Sequence, residues 1–94
     1  MTVIRLMSDY MASWPVWDHG GLTDQDEWEA ILSPGLHCRL IDWQAYFEAY
    51  FDHRSGWTAG SPDKYRSEGE ALAADLAKEL GPGHEVRLDL WPIH

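Results

Sequence analysis

Hydrophobic and polar positions alternate near both ends of the chain and recur at helical spacing between them. Residues 2–8 (Thr-Val-Ile-Arg-Leu-Met-Ser) start β-branched and place Ile4 and Leu6 on one face, which predicts a strand. From Asp9 to Gly21, Trp14-Pro15 and Gly20-Gly21 break the pattern, so this stretch is expected to leave the sheet as an irregular loop. Thr23 or Asp24 can cap a short helix over 25–31, whose early acids suit the positive end of the helix dipole.

A longer helix starts at Ser33-Pro34, a capping residue followed by proline at the first helical position. Leu36, Leu40, Trp43, Phe47, Tyr50 and Phe51 then share one helical face, and the helix is expected to end near Asp52. Residues 53–60 read as a connector containing Trp57. Ser61-Pro62 repeats the start signal. Tyr65, Leu72, Leu76 and Leu80 follow on one stripe, with Gly69 and Ala73 filling it and allowing close approach of a neighbour. Gly81-Pro82-Gly83 stops that helix. From His84 to Trp91 the alternation is clean, with Val86, Leu88 and Leu90 inward and Glu85, Arg87, Asp89 and Trp91 outward.

The predicted order is β-(short α)-α-α-β. It makes an α+β fold over 1–94, a small single domain with the two terminal strands paired and the helices packed on one face. Two strands alone make a marginal sheet, so helix packing sustains it or a second copy extends it, as a homodimer through the open edge. The pattern leaves strand direction undetermined.

Length and charge narrow the functional classes. Ninety-four residues can fold alone, but a few large side chains must then supply much of the core. The net charge is −9, and residues 1–30 hold more than half of it, with one Arg against six acids. Such a surface repels phosphate and anionic lipid, which disfavours nucleic-acid and membrane partners. Cys38 stands alone, which excludes an intramolecular disulfide framework and a multi-cysteine zinc site. No apolar run approaches the ~20 residues of a membrane span, and the expected location is cytoplasmic.

No motif supplies catalytic chemistry, and no cofactor is implied. His19 beside Asp18 invites a metal or base reading, yet adjacent residues in extended chain point apart and no second ligand is fixed. His37 and Cys38 lie about 100° apart on a helix and do not face each other, so Cys38 reads as a partly buried packing residue. His53, His84 and His94 stand singly near element ends. Nucleotide-binding and nucleophile-elbow fingerprints are absent.

Residues 14–29 remain. They hold Trp14, Trp17 and Trp28 with five carboxylates and no Lys or Arg. Trp28 and Trp43 read as core. Trp14 and Trp17 read either as caps on the core or as interface anchors. The candidate partner-binding residues are Trp14, Trp17, Asp18, Asp24, Asp26 and Glu27, with a basic protein as the partner. Two alternatives stay open: a small-molecule or carbohydrate pocket lined by Trp14, Trp17 and His19, and a small enzyme centred on Asp18 and His19.

The run Ser13-Trp14-Pro15-Val16-Trp17-Asp18, the helix carrying Trp43, Gln44 and Phe47, and the ending Leu88-Asp89-Leu90-Trp91-Pro92 resemble small, acidic, uncharacterised bacterial proteins. In size and charge the chain also resembles immunity proteins and antitoxins that occlude a basic toxin. The resemblance implies a non-enzymatic binding protein whose carboxylates steer a basic surface while tryptophans slow dissociation. It transfers no catalytic residue.

Overall fold

The alternation at the start of the chain becomes β1, Thr2–Leu6, with Ile4 and Leu6 buried and Val3 and Arg5 exposed. The structure is a computed structural model that describes residues 2–52, 54–58 and 62–91. Ser61, expected to cap the last helix, lies outside the described residues, as do His53 and His94.

Val16–Asp18 forms β2 and Gly21–Leu22 forms β3, which corrects the expectation of an irregular loop over 9–21. β2 runs antiparallel to β1, with Leu6 opposite Val16 and Arg5 opposite Trp17. The Gly20-Gly21 pair makes a hairpin turn instead of a break. Asp18 pairs with Gly21 across two residues, Gly21 adopts φ 110°, and the Asp18 side chain accepts the Gly20 N–H at 2.7 Å. Glycine takes that backbone region without steric cost, and an Asx contact stiffens the turn.

Helix α1, Gln25–Ile31, has Asp24 as its N-cap, and α2, Pro34–Tyr50, has Ser33. The expected connector around Trp57 contains a second small hairpin, with β4 at Phe51–Asp52 and β5 at Gly56–Trp57. α3 spans Pro62–Leu80 and ends at Gly81, φ 81°. β6 covers His84–Leu88, shorter than the expected 84–91. Asp89 still donates its N–H to Leu6 at 2.9 Å. The chain then turns, so Trp91 leaves the alternation. Its ring packs against Tyr10, Phe47 and Phe51, where sequence reading had it facing outward.

The terminal strands pair, and they do so in parallel, from Thr2 opposite His84 to Leu6 opposite Leu88. A parallel pair needs a long crossover, here one containing all three helices. The sheet order is β3-β2-β1-β6. One face meets the helices through Ile4, Leu6, Val16, Val86 and Leu88. The other stays open, with Val3, Arg5, Leu22 and Arg87 exposed and Trp17 half-buried.

The α2–α3 contact sets the thickness of this sandwich. Trp43 stacks on Tyr65 at 4.5 Å between centroids and 10° between planes, and its indole N–H donates to the Tyr65 carbonyl at 2.9 Å. Burial pushes the Tyr65 phenol well above the ordinary tyrosine range, with Ser8 opposing the shift and Asp89 adding to it. Gly69 lies against the Trp43 ring, where an added Cβ would lie 3.0 Å from Trp43 and 3.3 Å from Leu88. The Arg39–Asp75 ion pair across the same helices is 2.8 Å long but about 40% exposed on each side (43% and 42%), so it adds little. Gly69→Val should therefore cost about 1–3 kcal/mol in urea denaturation by overpacking against Trp43; wild-type stability would contradict the close approach.

Candidate partner-binding surface

Residues 14–29 divide according to which side of the sheet and hairpin they occupy. Trp14 is core, 1% exposed. Its indole N–H donates to the Thr23 hydroxyl at 3.0 Å, and that hydroxyl donates to the Val16 carbonyl at 2.7 Å. Its ring also packs against His37, with centroids 5.0 Å apart, and His37 Nε2 lies 3.4 Å from the Gln25 carbonyl. Trp14 thus braces both the strand leading into α1 and the first turn of that helix. Of the two fates weighed for this residue, the structure shows packing into the core, and Trp14 presents no open face.

Trp17 sits on the opposite side. Its position opposite Arg5 and Leu22 puts it on the open sheet face, and its indole N–H donates to the Met7 carbonyl at 2.9 Å. The residue as a whole is half-buried. Trp17 lines a depression of about 170 Å³ with Val3, Arg5, Asp18, His19 and Arg87. That volume is below the ~300–1,000 Å³ of ordinary ligand pockets. Trp17 and His19 share this depression, and Trp14 does not reach it, so the three do not assemble the aromatic cleft that a carbohydrate site would need.

The carboxylates are displayed along one continuous segment. Asp18 holds the β2–β3 turn. Asp24 accepts the Asp26 N–H at 2.8 Å as the cap of α1, and Asp26 and Glu27 occupy that helix's first turn. All of these are exposed, as is Glu29. None belongs to an ion pair among the described residues, in contrast to Asp63, Asp75 and Glu85. Local contacts with backbone N–H groups and the positive end of α1 hold these charges in place without neutralising them.

His37 and Cys38 point apart as helical geometry requires. His37 is 7% exposed in the core, while Cys38 is exposed, which corrects its expected packing role. No group of three or more metal-ligating side chains gathers among the described residues. No helix there is long and apolar enough to cross a membrane.

Two features escaped sequence reading. Arg5 and Arg87 stand side by side on the open sheet face because β1 and β6 pair in register; the alternation placed both outward, but only strand direction and register make them neighbours. Met11, 92% exposed, projects from a loop in which Met11 and Ser13 adopt φ 59° and 60°. Glu48 on α2 holds that loop by accepting the Met11 N–H at 2.7 Å. Nothing short of the tertiary fold signals such a contact across 37 residues.

The model of the Serratia CdiI immunity protein-like family matches residues 2–89. That range runs from the first strand to beyond the last and takes in the whole Trp-and-acid segment. The chain belongs to this family of immunity protein-like domains. A comparison with curated proteins finds no match.

The division between Trp14 and Trp17 is measurable by urea denaturation. Trp14→Ala should lose about 3–5 kcal/mol as a large core truncation, and Trp17→Ala distinctly less; equal losses would contradict it.

Proposed function

We propose that this chain is an immunity protein that binds a basic toxin domain and occludes its working surface through residues 17–29. Family membership supports the class of function. The observation that carries the choice of surface is the row of exposed carboxylates at Asp18, Asp24, Asp26 and Glu27, none ion-paired among the described residues.

Unneutralised carboxylates on ordered backbone attract a cationic surface over several ångströms and raise the encounter rate. A flexible acidic tail would do the same but would lose entropy on docking. Here the hairpin turn, the Asp24 cap and the Trp14 brace have already fixed the backbone, so less ordering remains to be done on binding. Trp17 then supplies apolar contact at the edge of the charged segment. Trp14 acts from beneath, as support. Occlusion by a protein surface requires neither a cofactor nor a reacting group on this chain.

The test uses as its probe a purified basic toxin domain, sought first in the product of the gene next to that of this chain. Asp18→Asn, Asp24→Asn, Asp26→Asn and Glu27→Gln are combined in one variant, because Asn caps a helix about as well as Asp and α1 therefore persists. Affinity should fall tenfold or more on the ordinary scale of interface charge pairs, mainly through slower association, and its dependence on salt should flatten. Unchanged affinity and salt dependence would exclude this surface.

A further inference from the structure

The open sheet face carries charge of the opposite sign. Cross-strand pairing lines up Leu22, Trp17, Arg5 and Arg87 in one row over four strands. Arg5 and Arg87 are direct neighbours in that row and both are exposed. Like charges directly opposite each other in a sheet cost stability, and this chain has few cations to spend, seven against sixteen acids. Glu85 engages Arg87 through Nε at 2.5 Å. Arg5 has no ion pair or hydrogen bond through its side chain among the described residues. Arg5, Arg87, Trp17 and Val3 line one depression together with Asp18 and His19.

We propose that Arg5, with Arg87 beside it, receives an acidic side chain of the same toxin domain, so that the interface is bipolar. This rests on the reading of the chain as an immunity protein. Guanidinium groups present paired donors that match a carboxylate, and an adjacent indole face excludes water from such a pair. The charges around the depression select the occupant. Asp18 in its lining and Glu85 paired with Arg87, within a molecule of net charge −9, oppose a phosphate dianion or a nucleic acid more strongly than a single carboxylate. Val3 and Leu22, 40% and 43% exposed, extend the contact on either side as apolar surface of the kind a protein partner covers. An arginine pocket next to an acidic segment also gives specificity, since a uniformly basic competitor meets Arg5 as a repulsive element.

The experiment compares wild type, Arg5→Gln, Arg5→Lys and the four-acid variant against the same toxin domain, and measures thermal stability of each free protein. Arg5→Gln should bind about tenfold more weakly or worse, through faster dissociation. Arg5→Lys should recover only part of that loss, lacking the paired donors. Free Arg5→Gln should melt no lower than wild type, because it relieves the Arg5–Arg87 repulsion. Equal affinity of Arg5→Gln and wild type would overturn this inference while leaving the acidic surface standing. A drop in melting temperature with that substitution would also overturn it, by making Arg5 structural. Failure of wild type to bind the domain would instead sink the immunity reading itself. Binding of a short DNA duplex by wild type, abolished in Arg5→Gln, would reassign the pocket to nucleic acid and overturn the carboxylate.

Discussion

Everything in this fold depends on the parallel pairing of β1 with β6. Those strands lie at opposite ends of the sequence, and joining them side by side obliges the three helices to cross one face of the sheet. That crossing buries Ile4, Leu6, Leu40, Phe47, Leu72 and Leu76 together. The same pairing has a second consequence on the other face. It sets Arg5 against Arg87 and leaves the row they share open to solvent. One register therefore builds both the core and the pocket.

Around that pairing, the tryptophans take different jobs according to which side of the sheet they reach. Trp14 and Trp43 are almost wholly buried, yet each still satisfies its indole N–H, on Thr23 and on the Tyr65 carbonyl. A buried indole without a partner would forfeit much of what its burial contributes. Trp91 closes the end of the core where β6 stops, donating to the Ser8 carbonyl at 2.6 Å. Of Trp14 and Trp17, only Trp17 stays partly accessible to solvent. In a chain this short, aromatic content is chiefly a structural necessity, and only geometry separates the residue available to a partner from those that hold the surface in shape.

The three helices and both terminal strands were legible because each carries a local signal: Ser33-Pro34 at the start of α2, the Tyr65–Leu76 stripe on α3, and the alternation from Val86 to Leu88. Small residues at Gly69 also announced a close helix contact. The hairpin of β2 and β3 was obscured because Trp14-Pro15 and Gly20-Gly21 are equally at home in irregular loops, and three- and two-residue strands are too short for periodicity to register. The buried state of Trp14 was beyond a local reading, since it depends on His37 from α2 reaching across. The acidic half of the candidate surface could be seen in the composition of 18–29. Its basic half could not, because Arg5 and Arg87 are separated by most of the chain and meet only through register.

Under the proposed function, the sheet has one face committed to stability and the other, with the hairpin and α1, left for recognition. Hydrogen exchange of the chain alone and with the proposed toxin domain tests this division most directly. Binding should slow exchange in β1, in 16–22 and in the first turn of α1, and leave the outer surfaces of α2 and α3 unchanged. Protection confined to α2 and α3, with the hairpin and α1 exchanging as in the free protein, would contradict the account.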